Sequence, residues 1–385
     1  MQYKNKLFID GKWLDGEGGA TFDVINPASE EVITKVASAG IEDAKKAINA
    51  AEIAFESWAK VSPRDKSVIL RKAYELFMDK IEHFAELITL ENGKAYGDAK
   101  GEALYSAEFF RWYSEEAVRG IGQISHAPAT GARIVVQYKP IGISVLVTPW
   151  NYPAAMGTRK IAPAIAAGCP VIIKPASETP LTMLELMPLL EEAGVPKGLI
   201  SVLPSRNTSK LVDHLLHDKR VRLVSFTGST EVGRKLLKVA SDQVLKTSME
   251  LGGNAPLIVF DDADMETAVD GCMVAKMRNL GEACTAANRI YVHENVAEEF
   301  KDKFSQRMGS LKVGNGLDKT VDVGPLVNAE TRDKVAYFVK DAIEKGAELS
   351  VGGESIDGPG FYYPPTVLFN VPDSSECLND EIFGP

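Results

Sequence analysis

The amino-acid sequence predicts an α/β fold built on a doubly wound, mostly parallel sheet. From about residue 141 onward, apolar segments of strand length alternate with amphipathic helical segments, as in a sheet that helices cover on both faces. The 385 residues are enough for about two to three domains. A content of 45% hydrophobic and 25% charged residues is that of an ordinary globular protein, so a wholly disordered chain is excluded.

The N-terminal part is predicted to be largely helical. In residues 41–120 the apolar positions recur at helical spacing. Ser62-Pro63 followed by Asp65 is a typical helix start, because serine caps, proline fits the first helical position and the acid suits the positive end of the helix dipole. Residues 121–140 are Gly-rich and extended, which predicts a hairpin used in assembly.

The doubly wound sheet is predicted from four apolar strands, each followed by a segment with helical periodicity. These strands are ISVLVT, PVIIKP, LISVLP and VRLVSFTG. A second cycle begins after Gly252-Gly253 with PLIVFDDAD, a helix from about Met265, RIYVHE and a helix from about Val296. The two glycines therefore mark the predicted domain boundary.

Charge and cysteine content exclude several classes of protein. The formal charge of −10 gives no general attraction for nucleic acid or for an anionic membrane. Residues 140–158 are uncharged, but their three prolines predict strand, turn and helix start instead of a membrane span. The N-terminus lacks signal-peptide and transit-peptide features, and no two of the four cysteines have C-x-x-C spacing. We therefore expect a cytoplasmic protein with no metal site, nucleic-acid partner or membrane partner.

Two segments suggest a nucleotide site at the carboxyl ends of strands. In FTGSTEVG, Gly228 and Gly233 flank a helix start at Ser229, whose free amides suit a pyrophosphate. In VIIKPASETP, Lys174 ends a buried strand and the small Ser177 follows, so a 2′-phosphate would meet no carboxylate at that position. Each feature alone also fits a structural role, as a strand-to-helix turn, a solvated lysine or a helix cap.

Three further segments carry groups suited to carbonyl chemistry. Cys284 follows a helix that Gly281 is expected to end. A catalytic thiolate needs partial exposure, nearby amides or cations, and a base, and a loop after a helix can provide the first two. Glu250, at a strand end before two glycines, is a candidate general base if a partly apolar setting raises its pKa. Asn151 lies in TPWNYP, where two prolines stiffen the turn and aim its amide. The structural alternatives are an inert thiol, a solvated acid and a turn asparagine.

Read together and in chain order, five segments resemble the NAD(P)-dependent aldehyde dehydrogenase superfamily. They are TPWNYP, KPASETP, FTGSTEVG, ELGGNAP and GEACTAANR. The resemblance runs from FIDGKW near the N-terminus to EIFGP at the last residue, so it covers essentially the whole chain. It implies a Rossmann-type cofactor domain at residues 1–120 and 141–252, a catalytic domain at 253–385, and an oligomerisation hairpin that includes 121–140.

The resemblance also implies a covalent mechanism. Cys284 would attack the aldehyde, while the Asn151 amide and the Cys284 backbone N–H hold the oxyanion. After hydride passes to the nicotinamide, Glu250 would activate the water that hydrolyses the thioester. Relatives that pass the acyl group to coenzyme A instead of water differ at the position of Glu250, so hydrolysis is implied. The implied cofactor contacts are Thr148, Pro149, Trp150, Lys174, Ser177, Gly228, Ser229, Gly233, Leu251, Glu381 and Phe383. Lys174 and Ser177 would hold the adenosine ribose, Ser229 the pyrophosphate and Glu381 the nicotinamide ribose.

Coenzyme and substrate choice follow from single positions. NAD-selective relatives tend to have glutamate where this chain has Ser177, which implies a preference for NADP with NAD tolerated. Arg159 and Arg278 match positions similar to the carboxylate-binding arginines of succinate-semialdehyde dehydrogenases, which implies succinic semialdehyde as substrate and a place in 4-aminobutyrate degradation. Ordinary salt bridges are the alternative role for both arginines.

Two departures from the family pattern are visible. Some members of this subfamily have a second cysteine two residues after the nucleophile, where this chain has Ala286, so that redox pair is not expected. The family also continues beyond EIFGP, so we expect the catalytic domain to be incomplete. The extended segment near Gln123 to Gln137 suggests assembly, and we expect a dimer or tetramer in the full-length form. The remaining alternatives are an aldehyde dehydrogenase for another aldehyde, and a nucleotide-binding protein without catalysis.

Overall fold

The main feature of the fold is a seven-stranded sheet surrounded by helices. The computed structural model describes residues 3–385 and divides them into two compact units. Its strands are β1 Leu7–Ile9, β2 Lys12–Leu14, β3 Thr21–Ile25, β4 Val32–Ala37, β5 Gln123–His126, β6 Arg133–Val136, β7 Ile143–Val147, β8 Val171–Lys174, β9 Ile200–Val202, β10 Val221–Gly228, β11 Lys246–Leu251, β12 Ala255–Val259, β13 Ala287–Val292, β14 Glu348–Val351 and β15 Val367–Phe369.

Four consecutive helices occupy most of residues 41–120, and from β7 to α8 helices alternate with strands as the hydrophobic pattern predicts. They are α1 Ile41–Trp58, α2 Pro63–Met78, α3 Ile81–Asn92, α4 Tyr96–Glu116, α5 Ala155–Ala167, α6 Leu181–Ala193, α7 Thr208–His217, α8 Thr230–Asp242, α9 Met265–Met277, α10 Ala297–Gly309 and α11 Ala329–Glu344. The predicted start of α2 is confirmed, because Ser62 Oγ accepts a hydrogen bond from Asp65 N at 3.1 Å and Pro63 is the first helical residue.

The first unit contains residues 3–23, 34–81 and 102–250 and is built around the large sheet. The strand order is β11-β10-β7-β8-β9-β1-β2, in which β10, β7, β8 and β9 are parallel neighbours. Every residue of β7 and β8 is buried, as expected for strands that are covered on both faces. The doubly wound α/β fold is therefore confirmed.

The order of the parallel strands creates a switch point beside β7. The chain runs from β7 to β8 and β9 on one side and then returns to place β10 on the other side. In open α/β sheets, ligands bind outside the carboxyl ends of strands at such a point. The sheet topology thus predicts a ligand site at the segments that follow β7 and β10.

The second unit contains residues 24–33, 82–101 and 251–385. Its parallel pair β12-β13 packs with α9 and α10 on a core that includes Val259, Cys272, Phe300 and Phe304. Burial raises the pKa of the Cys272 thiol to about 11, which is in keeping with an inert core cysteine. The assignment of cofactor binding and catalysis to separate domains stays a prediction.

The segment predicted as a hairpin forms the antiparallel pair β5-β6, with Gln123 opposite Val136. All eight of its strand residues are exposed. Its use in assembly stays a prediction.

Within residues 3–385, none of the helices combines the length and apolar character needed to cross a membrane. The same residues contain no cluster of three or more His, Cys, Asp or Glu arranged to hold a metal ion.

Candidate active site

The first group of predicted residues lies at the carboxyl edge of the large sheet. The register places Val147 opposite Lys174 on one side and opposite Phe226 on the other. Thr148 N donates a hydrogen bond to the Lys174 carbonyl at 3.2 Å. The segment 148–151 after β7, the end of β8 and the end of β10 therefore share one edge, as parallel strands require.

Lys174 is a buried cation at this edge, with only 5% of the residue exposed. Burial lowers the pKa of Lys174 to about 8, while Glu178 opposes this change and Arg206 adds to it. Arg206 was not predicted from sequence, because it follows β9 at a distance of 32 positions from Lys174 (206 − 174 = 32). The adjacency of β8 and β9 brings this second positive charge toward the same edge.

Ser177 lies in the turn between β8 and α6 and is not a helix cap, since the residue before α6 is Pro180. Its hydroxyl donates to Glu178 Oε2 at 3.3 Å. A carboxylate thus lies beside Ser177, although none occupies position 177 itself. The helix-cap role considered for Ser177 from sequence is therefore wrong. The negative charge of Glu178 disfavours a 2′-phosphate at this position.

The start of α8 has the features expected for an anion-binding helix terminus. Ser229 Oγ accepts a hydrogen bond from Val232 N at 3.4 Å, and Gly233 N donates to the Ser229 carbonyl at 3.0 Å. At the end of β10, the Thr227 hydroxyl oxygen is buried and has no hydrogen-bond partner among residues 3–385. An orphaned polar atom beside a helix start fits a dinucleotide bound at the switch point.

Asn151 is held in a turn that two other segments support. It is buried, with 5% of the residue exposed. The Trp150 carbonyl accepts a hydrogen bond from Thr179 Oγ1 at 3.4 Å. On the other side, Glu102 Oε1 accepts from Ala154 N at 2.8 Å and from Ala155 N at 3.2 Å, which caps the start of α5. Glu102 was missed from sequence because it lies 52 residues before Ala154.

Glu250 lies exposed near the end of β11. β11 is the edge strand of the sheet, so Glu250 does not lie in the partly apolar setting under which a raised pKa was considered. Lys160 on α5 is buried, and its Nζ donates to Ser225 Oγ at 2.7 Å. Burial lowers the pKa of Lys160 to about 8, Glu250 opposes this change and Arg159 adds to it. A lysine with such a pKa can give or take a proton near neutral pH.

Cys284 is exposed on a loop that follows a strained turn. α9 ends at Met277, and Arg278–Gly281 forms a short 3₁₀ turn in place of the helix end expected at Gly281. Asn279 and Leu280 have φ angles of 56° and 45°, a region that non-glycine residues rarely adopt. Backbone strain of this kind concentrates at functional sites.

Gly281 completes this left-handed run with a φ of 80°. A Cβ at this position would lie 2.3 Å from the Gly384 carbonyl oxygen, so no other residue fits without moving backbone. The turn is also tied by side chains, because Asp98 Oδ2 accepts from Asn279 N at 3.1 Å and Asn279 Nδ2 donates to the Glu282 carbonyl at 2.9 Å. The loop that carries Cys284 is thus rigidly anchored at its start.

Two buried charges support the same loop and were missed from sequence. Glu282 and Lys94 are both fully buried. Burial raises the pKa of Glu282 well above its usual range, opposed by the attraction of Lys94 and by the hydrogen bond that Glu282 Oε1 accepts from Val327 N at 3.4 Å. The position of Glu282 two residues before Cys284 could have indicated a role for this acid. Lys94 could not be recognised as its partner, because it lies 188 positions away in the sequence (282 − 94 = 188).

Glu381 contacts the glycine pair that follows β11. Its Oε1 accepts a hydrogen bond from Gly253 N at 3.4 Å, and a Cβ at Gly252 would lie 2.3 Å from its Oε2. Burial raises the pKa of Glu381, while this hydrogen bond and Lys334 oppose the change. Leu251 is the last residue of β11. Phe383, two residues after Glu381, has a φ angle of 56°. The structure therefore brings Leu251 and Glu381 to one region of the second unit.

The two candidate substrate arginines differ in their surroundings. Arg159 lies on α5 and stacks against aromatic rings of α4, at 5.6 Å from the ring centre of Tyr105 and 5.3 Å from that of Phe109. Its Nη2 donates to the Tyr105 hydroxyl at 2.5 Å. Arg278 is exposed where α9 passes into the 3₁₀ turn, six residues before Cys284.

Comparison with known proteins identifies the family. A model described as "Aldehyde dehydrogenase family" matches residues 13–385, so the chain belongs to the aldehyde dehydrogenase family. A succinate-semialdehyde dehydrogenase of Paenarthrobacter nicotinovorans is 51% identical over 92% of this chain and 79% of its own length. A glutarate-semialdehyde dehydrogenase of Pseudomonas putida is 41% identical over 100% of this chain and 79% of its own length.

A solved structure gives the same result for the fold. The crystal structure of an NADP-dependent enzyme of E. coli is 41% identical in sequence and superposes with a TM-score of 0.97. The match covers 100% of this chain and 79% of that enzyme. The predicted family and fold are both confirmed. The roles of the individual site residues are proposals.

Proposed function

We propose that the protein oxidises succinic semialdehyde to succinate and uses NADP as its preferred hydride acceptor. The similarity to a succinate-semialdehyde dehydrogenase over 92% of the chain carries this proposal. The substrate is a small aldehyde with a carboxylate at its far end. Arg159 and Arg278 supply the positive charge that such a carboxylate needs.

The chain's own groups divide the chemistry among them. The Cys284 thiolate attacks the carbonyl carbon, and the Asn151 amide with the Cys284 backbone N–H stabilises the negative charge that develops on oxygen. A nicotinamide held at this site would supply the acceptor for the hydride. Glu250 then removes a proton from the water that attacks the Cys284 thioester. The products are succinate and the free thiol.

The dinucleotide is proposed to lie at the switch point of the sheet. Lys174, Ser177 and Arg206 surround the adenosine side, the start of α8 at Ser229 meets the pyrophosphate, and Glu381 meets the nicotinamide ribose. Lys174 and Arg206 favour a 2′-phosphate, whereas Glu178 opposes it. The positive charges outnumber the acid at this edge, so the proposal keeps NADP as the preferred cofactor.

Changing Ser177→Glu is expected to reverse the coenzyme preference. A second carboxylate beside Glu178 repels the 2′-phosphate of NADP, so kcat/KM with NADP falls at least about tenfold relative to kcat/KM with NAD. Ser177→Gln is the matched control, because it adds the same volume without charge. The NADP proposal is rejected if the unchanged protein uses NAD as efficiently as NADP.

The substrate assignment is tested with Arg278→Ala. Loss of one guanidinium from the carboxylate site is expected to raise KM for succinic semialdehyde about tenfold or more, because a charged hydrogen bond contributes about 1.5–3 kcal/mol. KM for butanal, which has the same chain length and no carboxylate, should stay within about twofold of its original value. An equal increase for both aldehydes would remove the basis of the assignment.

Glutaric semialdehyde is the second candidate substrate, since a glutarate-semialdehyde dehydrogenase is 41% identical over the whole chain. It differs from succinic semialdehyde by one methylene, and such a difference changes kcat/KM by about 10-fold to 200-fold in a fitted pocket. Steady-state kcat/KM for both semialdehydes and for butanal, each with NADP and with NAD, decides between them.

A further inference from the structure

Arg159 is held by aromatic side chains and not by an acid. Its guanidinium stacks against Tyr105 and Phe109, and one of its N–H groups donates to the Tyr105 hydroxyl at 2.5 Å. Among residues 3–385, no carboxylate oxygen lies within 4.0 Å of an Arg159 nitrogen. The neighbouring acid on α4, Glu108, pairs with Arg111 at 2.6 Å. Arg159 is therefore a half-buried cation that forms no ion pair with a carboxylate among the described residues.

The geometry of two packed helices produces this arrangement. Glu102 on α4 caps the start of α5 through Ala154 and Ala155, which fixes the two helices against each other. Tyr105 and Phe109 lie three and seven residues beyond Glu102, on the same face of α4. Arg159 lies four residues beyond Ala155, one turn along α5. The cap and the ring contacts thus follow each other along a single helix-helix seam.

The two rings also support each other. Tyr105 and Phe109 pack edge to face, with ring centres 4.8 Å apart and an interplanar angle of 61°. A guanidinium that lies on such rings is held through its π face, so its N–H edges stay available for a carboxylate. An acidic partner in the same place would have to be displaced by the substrate. Aromatic support avoids that competition.

We propose that Tyr105 and Phe109 are positioning residues that hold Arg159 in the orientation in which it binds the distal carboxylate of the substrate. This inference rests on the proposed function, because it takes the carboxylate of the aldehyde as the ligand of Arg159. The pair acts on selectivity for anionic aldehydes and takes no part in bond making at the carbonyl. We refer to Tyr105 and Phe109 together as the aromatic clamp.

The test is a comparison of KM values in the purified protein. The double variant Tyr105→Ala/Phe109→Ala is expected to raise KM for succinic semialdehyde at least about fivefold, because the guanidinium loses both rings and one hydrogen bond. KM for butanal and kcat for both aldehydes should stay within about twofold. Tyr105→Phe, which keeps the ring and loses the hydroxyl, should recover most of the original KM.

Two controls separate positioning from general damage. Trp112→Ala removes an exposed aromatic residue from the same helix and should change neither KM. In an Arg159→Ala background, the clamp substitutions should cause no further selective increase, because the residue they position is already absent. The double variant Tyr105→Ala/Phe109→Ala and the variant Arg159→Ala both alter partly exposed side chains. Thermal unfolding of each variant checks that the fold is kept.

The outcomes distinguish the inference from the function on which it rests. If Arg159→Ala raises KM selectively for succinic semialdehyde and the clamp variants do not, the clamp is wrong and the proposed substrate stands. Equal changes of KM for both aldehydes in the clamp variants also overturn the positioning role. If Arg159→Ala and Arg278→Ala both leave the selectivity unchanged, the proposed substrate and the clamp fall together.

Discussion

Replacing Cys284 with alanine is expected to abolish aldehyde-dependent NADPH formation. The thiol is the nucleophile of the proposed mechanism, and removal of a covalent nucleophile lowers kcat by at least about a thousandfold. Binding of NADP, measured by quenching of protein fluorescence, should change by less than about twofold, because Cys284 is not among the groups proposed to hold the dinucleotide. Activity and cofactor binding are thus separated in one variant.

The chain provides a control for this experiment in Cys169. That thiol is free like Cys284 but buried, with 3% of the residue exposed. Iodoacetamide followed by peptide mass spectrometry should label the exposed Cys284 first, and NADPH formation should fall in step with that labelling. Retained activity in Cys284→Ala, or equal labelling rates at the two cysteines, would favour the alternative of a nucleotide-binding protein without catalysis.

The sheet and its binding edge could be predicted because their signals are local. Near-continuous apolar strands such as 143–147 and 171–174 are typical of a buried parallel sheet, and the polar residue that ends each strand is adjacent in sequence. The predicted positions of Lys174, Ser229 and Asn151 at one edge depend only on strand direction. Such features need no knowledge of which distant segments pack together.

The supporting residues could not be predicted, because each acts through a contact between distant parts of the chain. Glu102 reaches Ala154 across 52 residues, and Lys160 donates to Ser225 across 65. Neither lies in a pattern that distinguishes it from an ordinary helix-surface residue. The same holds for Tyr105 and Arg159, whose contact spans 54 residues. The sequence thus predicts the groups that react, and the fold determines what orients them.

The edge position of β11 could not be predicted from the residues around Glu250. A strand end followed by two glycines gives no indication that β11 is an edge strand, a position in which Glu250 is exposed. The electrostatic interaction between Glu250 and the buried Lys160 of α5 was likewise not visible in the sequence. The exposed position leaves the carboxylate accessible to water, from which a general base removes a proton.

Changing Glu250→Gln is therefore expected to stop turnover after the first half of the reaction. Glutamine keeps the shape of the side chain but cannot remove a proton from the hydrolytic water, so kcat falls by about a hundredfold or more. Rapid mixing with NADP and succinic semialdehyde should still give a burst of NADPH close to the concentration of active sites, and intact-protein mass spectrometry should then find one acyl group on Cys284. Glu298→Gln, an exposed acid on α10, should behave like the unchanged protein. Loss of the burst itself would mean that Glu250 acts before the acyl group forms, and unchanged turnover would exclude it as the base for hydrolysis.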